Sequence, residues 1–242
     1  MRTAGENLDM TTDTRTVLVT GAAGHLGRAV AEAFARRGAN LALIGRRESL
    51  EQAFGSEDAT RVFASADLLD RPQVEAVVAT ALARFGRIDV LCNIAGGFRM
   101  GDPVHATKDE DWNFLFDVNL RTMLNAVRAV VPAMLARGGG KIVNVAAAAA
   151  QKGGARMGAY AASKAGVVRL TEAMAAELRD RNVNVNCVLP TIIDTPDNRA
   201  AMPDADPARW VAPADLANVI VFLASDEARA IHGAALPVTG LS

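Results

Sequence analysis

The chain has 242 residues, a length that suits one α/β domain or two small domains. Half of the residues are hydrophobic and only 5% are aromatic. Alanine, at about a fifth of the chain, favours helices packed on a sheet over a β-sandwich. Lys and Arg number 26 against 27 Asp and Glu, a net charge of −1, which argues against nucleic-acid binding, a polybasic membrane patch and disorder.

Short apolar runs alternate with longer amphipathic stretches along the chain. The predicted strands are 16–20, 41–44, 61–66, 88–92, 141–145, 183–189 and 235–238. The predicted helices are 25–37, 71–85, a long stretch ending near 137, 159–181 and 213–225. Because the strands are continuously apolar, they fit a parallel sheet that is buried on both faces. The sequence therefore predicts a single three-layer, doubly wound α/β domain over residues 16–242.

Other features favour a protein of the cytoplasm. The polar residues 1–15 are predicted to form a flexible tail, with Met10 as an alternative start. Cys92 and Cys187 lie in separate apolar runs and are predicted to be buried free thiols. No apolar run reaches the ~18–20 residues that span a bilayer. No His, Cys and Asp cluster has the spacing of metal ligands, so we expect no metal ion.

A glycine-rich turn joins the first predicted strand to the first predicted helix. Glycines in such a turn let the backbone approach a pyrophosphate, which the N–H groups of the helix N-terminus attract. The sequence therefore predicts a dinucleotide site in the turn, with five contact residues: Gly21, Gly24, His25, Leu26 and Gly27.

Residues after the next two strands predict which dinucleotide binds. Arg46 and Arg47 stand where an acidic residue would bind the ribose 2′-hydroxyl. Since guanidinium groups can grip a 2′-phosphate, the sequence favours NADP(H) over NAD(H), the alternative being that both arginines are solvated. Asp67, followed by Leu68, is expected either to meet the adenine amino group or to cap the next helix.

Four motifs in order make the chain resemble the short-chain dehydrogenase/reductase family, in its single-domain branch with a Rossmann fold. They are the glycine turn, the run 93–96 with sequence Asn-Ile-Ala-Gly, Asn119, and Tyr160-x-x-x-Lys164. The resemblance covers residues 16–239 and implies an NAD(P)H-dependent oxidoreductase that forms a homotetramer or homodimer. It implies further cofactor contacts from Asn93, Ala95, Gly96, Pro190, Ile193 and Thr195.

The spacing of Tyr160 and Lys164 has a chemical reason. Four residues apart on a helix, the two side chains share one face. A phenol has a pKa of ~10, and a nearby ammonium is expected to lower it toward the pH of catalysis. By the resemblance, Tyr160 protonates the substrate while NADPH delivers hydride, Lys164 also contacts the nicotinamide ribose, and Asn119 supports a water-linked proton relay. Tyr160 and Lys164 both count among the predicted cofactor contacts.

Of the departures from the family pattern, the one at position 147 bears on catalysis, and smaller ones lie at His25, Ile94 and Thr191. The family usually has a serine thirteen residues before the tyrosine, where its hydroxyl holds the reacting carbonyl oxygen, and this chain has Ala147 there. Losing such a donor costs about 2.7–4 kcal/mol of transition-state stabilisation. A simple ketone reductase would therefore be handicapped.

A branch without that serine, the quinonoid dihydropteridine reductases, resembles the chain in its alanine at 147, its run 92–97 and its segment 189–210. The substrate of that branch is a conjugated imine-like ring, which needs a serine clamp less. Its animal members look NADH-preferring, with an acidic residue where Arg46 stands. Pterin reduction is thus one alternative, and a non-catalytic NADP-binding sensor or scaffold is another.

The resemblance also predicts where the substrate lies. A lid is expected over residues 191–212, with Met202 and Trp210 among the substrate contacts. Phe98 and Arg99, just past the fourth strand, are expected on the opposite wall, and Ala147 beside the reacting group. Arg99 or Arg156 could hold an anionic or carbonyl-rich small molecule. Neither nucleic acid nor a membrane is an expected partner.

Overall fold

The computed structural model describes residues 15–242, so Met10 and nearly all of the predicted tail lie outside the described residues. The strands form one parallel sheet in the order β3-β2-β1-β4-β5-β6-β7. Their bounds are β1 Thr16–Thr20, β2 Asn40–Ile44, β3 Arg61–Ala64, β4 Val90–Asn93, β5 Gly140–Val145, β6 Val183–Pro190 and β7 Ala235–Val238. The predicted seven-stranded parallel sheet is confirmed, with ends of single strands displaced by one or two residues.

Helices cover both faces of the sheet. They are α1 His25–Ala35, α2 Arg47–Phe54, α3 Arg71–Phe85, α4 Asp109–Phe116, α5 Thr122–Arg137, α6 Gly158–Leu178, α7 Pro196–Ala201 and α8 Pro213–Leu223. Apolar side chains of α1 and α8 pack in one core layer, and those of α3, α5 and α6 pack in the other. The three-layer, doubly wound domain is therefore confirmed.

Three helical features differ from the prediction. The long stretch before 137 is two helices, α4 and α5, joined by a π-helical segment Asp117–Arg121. Helix α2 was not predicted, because it buries only Leu50 and so carries little apolar periodicity. The six-residue helix α7 was not predicted either, and its capping residue is Thr195, a predicted cofactor contact. Short polar helices give weak hydrophobic patterns, which explains both omissions.

Strand register decides where the site lies. Thr20 at the end of β1 is level with Asn93 at the end of β4, and the strand order reverses between these two strands. Ligands of doubly wound sheets bind in the crevice at such a reversal, beyond the carboxyl ends of the strands. Cys92 and Cys187 are buried and free, as predicted. Within residues 15–242, no helix is both long and apolar enough to cross a membrane.

Candidate functional site

A hydroxyl at the end of β1 joins the two segments that border the crevice between β1 and β4. The Thr20 Oγ1 atom accepts hydrogen bonds from the backbone N–H groups of Ile94 and Ala95, at 3.0 and 3.2 Å. These bonds hold the segment after β4 against the glycine turn. Thr20 is not among the predicted site residues, although a hydroxyl directly before Gly21 is a visible signal in the sequence.

The geometry of the turn requires glycine at two positions. Gly21 has φ +63°, and a Cβ there would lie 2.9 Å from the Cα of Ala95. A Cβ on Gly27 would overlap the carbonyl oxygen of Gly21 and lie 2.8 Å from the Cα of Ala22. The first turn of α1 therefore packs directly on the glycine turn, and a larger residue at either position would separate them.

The N-terminus of α1 suits a pyrophosphate. Its N-cap is Gly24, and no side chain caps the helix. Uncapped N–H groups and the helix dipole favour an anion at this end. The Leu26 side chain is buried in the core, so only the backbone of this residue is open to a ligand. The His25 imidazole is exposed, and its Nε2 atom lies 4.0 Å from Oδ2 of Asp197. The residues present thus fit the phosphates of a dinucleotide.

The two arginines after β2 have different surroundings. Arg47 pairs with Glu51 at 2.9 Å and with Glu57 at 3.3 Å, and its guanidinium lies over the Phe63 ring. Arg46 is the N-cap of α2 and is exposed, and none of the ion pairs found within residues 15–242 involves it. Only Arg46 is therefore positioned to receive a new anion without giving up a carboxylate.

Asp67 does not cap the helix that follows it. The N-cap of α3 is Asp70, whose carboxylate accepts from the Gln73 N–H, so the capping alternative for Asp67 was wrong. Asp67 instead accepts from the Leu69 N–H at 2.9 Å, in a local turn. The Leu68 carbonyl accepts from the Asn125 side chain at 2.9 Å, which fixes this turn to α5.

A buried polar group assembles beside Gly96. A Cβ added to Gly96 would lie 3.0 Å from Asn119 Oδ1 and 3.2 Å from Lys164 Nζ, so both atoms border the same small space. The Lys164 ammonium donates to the Val145 carbonyl at 3.0 Å. The Asn119 amide donates to the Gly97 carbonyl at 3.1 Å and accepts from its N–H at 3.0 Å.

Ser163 connects this group to Tyr160. The Ser163 hydroxyl accepts from Asn119 Nδ2 at 3.1 Å and donates to the Tyr160 carbonyl at 2.8 Å. Asn119 itself lies in the π-helical segment, a distortion of the α-helix that is frequent at functional sites. Ser163 is not among the predicted site residues, because its hydrogen bond to Asn119 joins residues 44 positions apart in sequence.

Tyr160 is half-buried beside Phe98. The two rings meet edge to face with centroids 4.8 Å apart, and Phe98 is 54% exposed. Burial raises the pKa of Tyr160 to about 12. The expected lowering of this pKa by Lys164 was therefore wrong for the protein alone, because desolvation of the phenol dominates and the ammonium is directed at the Val145 carbonyl.

Asn93 is turned into the core instead of the crevice. Its amide donates to Asn144 Oδ1 at 2.8 Å, and Asn144 donates to Thr171 Oγ1 at 2.9 Å. All three side chains are buried. The chain of bonds joins β4, β5 and α6, so the geometry favours a structural role for Asn93 over a direct contact with a ligand.

A cleft of about 160 Å³ opens next to Tyr160, between the segment after β4, α4 and the start of α6. Arg99 lines it, but its guanidinium pairs with Asp111 at 2.7 Å and lies 3.7 Å over the Phe114 ring. Arg156 also lines the cleft, with φ +62°, and its carbonyl accepts from the Gly101 N–H. The predicted substrate contacts Met202 and Trp210 are not among the described residues that line this cleft.

The predicted lid is anchored on the sheet. Ile193 packs against the core and pairs with Val211, while Trp210 is itself buried. Thr195, five residues past Pro190 at the end of β6, accepts from the Asn198 N–H and caps α7. Ala147 follows β5, is 7% exposed and has no side-chain donor, as expected from its position.

Lys164 makes a testable contribution to the pH dependence of stability. Burial lowers its pKa from 10.5 to about 8 in the folded protein. Between these values the unfolded chain binds more protons, so the free energy of unfolding should rise with pH by up to about 3 kcal/mol from this group. In Lys164→Met we expect that increment to be missing in urea unfolding at pH 7.5 and 10. Equal pH slopes in the two proteins would contradict the burial of a titrating ammonium.

Comparisons with known proteins identify the family of the chain. The family model described as "short chain dehydrogenase" matches residues 15–206. A D-threitol dehydrogenase of Mycolicibacterium smegmatis is 37% identical over 248 aligned positions, which cover 97% of this chain and 95% of that protein.

Two solved structures share the fold. Carveol dehydrogenase from Mycobacterium avium, in complex with NAD, gives a TM-score of 0.85 at 29% identity over 95% of this chain and 98% of its own. The second is a proposed NAD(P)-dependent gluconate 5-dehydrogenase from Beutenbergia cavernae, with NADP bound at low occupancy. It gives a TM-score of 0.83 at 36% identity, over 93% of this chain and 95% of its own. The chain therefore belongs to the short-chain dehydrogenase/reductase family and is an NAD(P)-dependent oxidoreductase with a Rossmann fold.

Proposed function

We propose that the protein is an NADPH-preferring reductase of a small molecule that carries a carbonyl or a conjugated imine. The observation that carries the proposal is the meeting of Asn119 and Lys164 beside Gly96, with Ser163 linking Asn119 to Tyr160. These residues belong to three separate segments of the chain. Their meeting at the reversal of strand order is the arrangement that a dinucleotide-dependent reaction needs.

The dinucleotide would lie along the crevice. Its pyrophosphate would meet the N–H groups of residues 24–27, its adenosine half Arg46 and Asp67, and its nicotinamide half Gly96, Ile193 and Thr195. When bound, it supplies a hydride. Since the nicotinamide must then lie near Lys164, the ammonium would donate both to the Val145 carbonyl and to the neighbouring ribose.

Tyr160 is the proposed proton donor. A phenol with a pKa of about 12 stays protonated at neutral pH, so it has a proton to give to the substrate. Donation leaves the phenolate, which burial disfavours, so the proton has to be replaced promptly. The Lys164 ammonium would replace the lost proton through water, Asn119 would support this relay, and the lack of a side chain at Gly96 leaves the space for it.

The alanine at position 147 favours one class of substrate over another. The position follows β5 and is buried, and by the family resemblance it would lie beside the reacting group, yet it presents only a methyl group. A substrate whose developing charge is spread over a conjugated ring depends less on one oxyanion donor than a simple ketone does. This favours a conjugated imine or diketone and keeps pterin reduction as the second candidate.

The cofactor preference is tested by the two neighbouring arginines. Arg46→Ala should weaken NADPH binding about tenfold or more while leaving NADH binding within twofold, because only NADPH carries the 2′-phosphate that a charged hydrogen bond would hold. Arg47→Ala is the matched control, since Arg47 is already paired with Glu51 and Glu57. Titration of both dinucleotides by fluorescence gives the four dissociation constants. Equal losses for NADPH and NADH in Arg46→Ala would contradict the assignment.

The activity is tested with a panel of substrates under NADPH and NADH. It contains a quinonoid dihydropterin, quinones, diketones, 3-oxoacyl thioesters, and threitol and gluconate for the oxidative direction. Ala147→Ser should raise the reduction of simple ketones about tenfold and change that of conjugated substrates little. Tight NADPH binding without turnover of any substrate would favour a sensor or scaffold instead. Selective turnover of the dihydropterin would establish the second candidate.

We also propose a homotetramer or homodimer in the cytoplasm, with residues 191–212 closing over the substrate. The support for assembly is on α4, where Trp112 is 43% exposed and stacks on Phe116 with centroids 4.4 Å apart. Light scattering of the purified protein gives its mass in solution. A monomer at micromolar concentration would contradict the proposal.

A further inference from the structure

Two arginines line the cleft of about 160 Å³ beside Tyr160, and their surroundings differ. The Arg99 guanidinium pairs with Asp111 at 2.7 Å and lies 3.7 Å over the Phe114 ring. To bind a further anion it would have to share donors that already hold a carboxylate. Arg99 is therefore a part of the cleft wall, and Arg156 is the other candidate for binding an anionic group.

The Arg156 guanidinium is open to a ligand. The residue is exposed, and within residues 15–242 no ion pair, side-chain hydrogen bond or aromatic contact involves its guanidinium. A guanidinium is always charged and presents its N–H donors in a planar fork that matches a carboxylate. Arg156 can thus bind an anion in the cleft without giving up an existing bond.

The backbone of Arg156 is strained. Its φ of +62° lies in the left-handed region that favours glycine. Among the described residues the other non-glycine residue with positive φ is Asn182, and asparagine is a residue type that tolerates this region. The Arg156 carbonyl accepts from the Gly101 N–H at 3.1 Å, which ties the segment before α6 to the segment after β4. The fold therefore places an arginine where glycine would be easier, and such strain is typical of ligand sites.

Other side chains of the cleft limit the kind of anion. Asp102 lines the cleft, is exposed and takes part in none of the ion pairs within residues 15–242. Its carboxylate opposes a second negative charge, so a monoanionic carboxylate fits better than a phosphate dianion. Met100 and Met157 also line the cleft and offer flexible apolar surface to a short aliphatic chain.

We propose that Arg156 determines substrate specificity by binding a carboxylate of the molecule whose carbonyl or imine is reduced. The substrate would then be a small oxo- or imino-carboxylate. Arg156 lies two residues before α6 begins at Gly158, and Tyr160 lies in the first turn of that helix. Because the two side chains come from one short segment, the carboxylate and the reacting group would be joined by a short chain. The inference rests on the proposed reduction, since it takes the ligand of this cleft to be the substrate.

The experiment compares dioxohexanoate, a diketone with a terminal carboxylate, with its methyl ester. Binding is measured by calorimetry on protein saturated with NADP⁺, which cannot reduce the diketone, and turnover is measured with NADPH. We expect the carboxylate to bind about tenfold more tightly than the ester, because only the carboxylate makes a charge-assisted bond.

Two variants that each remove one positive charge locate this preference. Arg156→Met should abolish it, so that the carboxylate and the ester bind within about twofold of each other. Lys152→Met is the matched control, because Lys152 is an exposed cation of the same segment that does not line the cleft. It should keep the preference of the unaltered protein.

Arg156→Gly distinguishes a lost contact from a lost fold. Glycine suits φ +62°, so the Tm of this variant should equal or exceed that of the unaltered protein. Its preference for the carboxylate should nevertheless disappear, as in Arg156→Met. A preference that survives in Arg156→Gly would contradict the role of the guanidinium.

The outcomes separate this inference from the proposed reduction. Equal binding of the carboxylate and the ester to the unaltered protein would overturn the inference, as would no binding of either or equal effects of Arg156→Met and Lys152→Met. Reduction of both compounds at equal kcat/KM would overturn the role of Arg156 and leave the proposed reduction intact. Selective binding of the carboxylate without turnover would support the role of Arg156 and contradict the proposed reduction.

Discussion

Tyr160→Phe is expected to lower kcat/KM for the reduction of a carbonyl or imine by a factor of about 10² to 10⁴, the usual contribution of a positioned general acid. The substitution removes the phenolic proton and keeps the ring that packs edge to face on Phe98. NADPH affinity should stay within about threefold, because the turn and Arg46 lie elsewhere in the crevice. The measurements are steady-state rates and an NADPH titration on the same preparation.

Phe98→Leu is the control for that experiment. It removes the ring against which Tyr160 packs but leaves the phenol in place. We expect KM to change more than kcat, since Phe98 is half-exposed next to Tyr160 and carries no acidic proton. Undiminished activity in Tyr160→Phe would remove Tyr160 from the role of acid, whatever Phe98→Leu does.

Gly27→Ala is expected to have the largest effect on the fold around the site. The new methyl group would overlap the Gly21 carbonyl oxygen, which is backbone and cannot rotate away. We expect a loss of about 2–3 kcal/mol in the free energy of unfolding, and hence a fall in Tm of roughly 5–10 °C. NADPH affinity should fall at least tenfold, because α1 must move away from the glycine turn, and its N-terminal N–H groups then no longer lie beside the proposed pyrophosphate site.

Gly24→Ala is the control variant, because it replaces a glycine of the same turn by alanine without creating a backbone clash. Gly24 has φ −72°, which any residue adopts, and its Cβ would make an ordinary contact at 3.4 Å with the same carbonyl oxygen. Its Tm is expected to fall by no more than about 3 °C, the shift that 1 kcal/mol produces in a domain of this size. Equal Tm values for Gly27→Ala and Gly24→Ala would refute the proposed close packing.

The fold could be predicted because its signals are local. Continuous apolar runs identify strands buried on both faces, and the glycines at 21 and 27 identify the turn, without knowledge of any distant contact. The same holds for the Tyr160–Lys164 pair, whose spacing places both on one face of α6. The failures came where the pattern was short or polar, as in α2, or where several carboxylates competed to cap a helix, as with Asp67 and Asp70.

The sequence by itself determined the parallel α/β class, the glycine turn after β1 and the alanine at position 147, since each depends on residue type and spacing along the chain. Only the tertiary structure decided which groups the side chains contact and how deeply they are buried. It separated Arg46 from Arg47 through the carboxylates of Glu51 and Glu57, and it gave the Lys164 ammonium a backbone carbonyl as partner. It also raised the pKa of Tyr160 by burial. Ion pairing, hydrogen bonding and desolvation depend on groups far apart in sequence, and only folding brings those groups together.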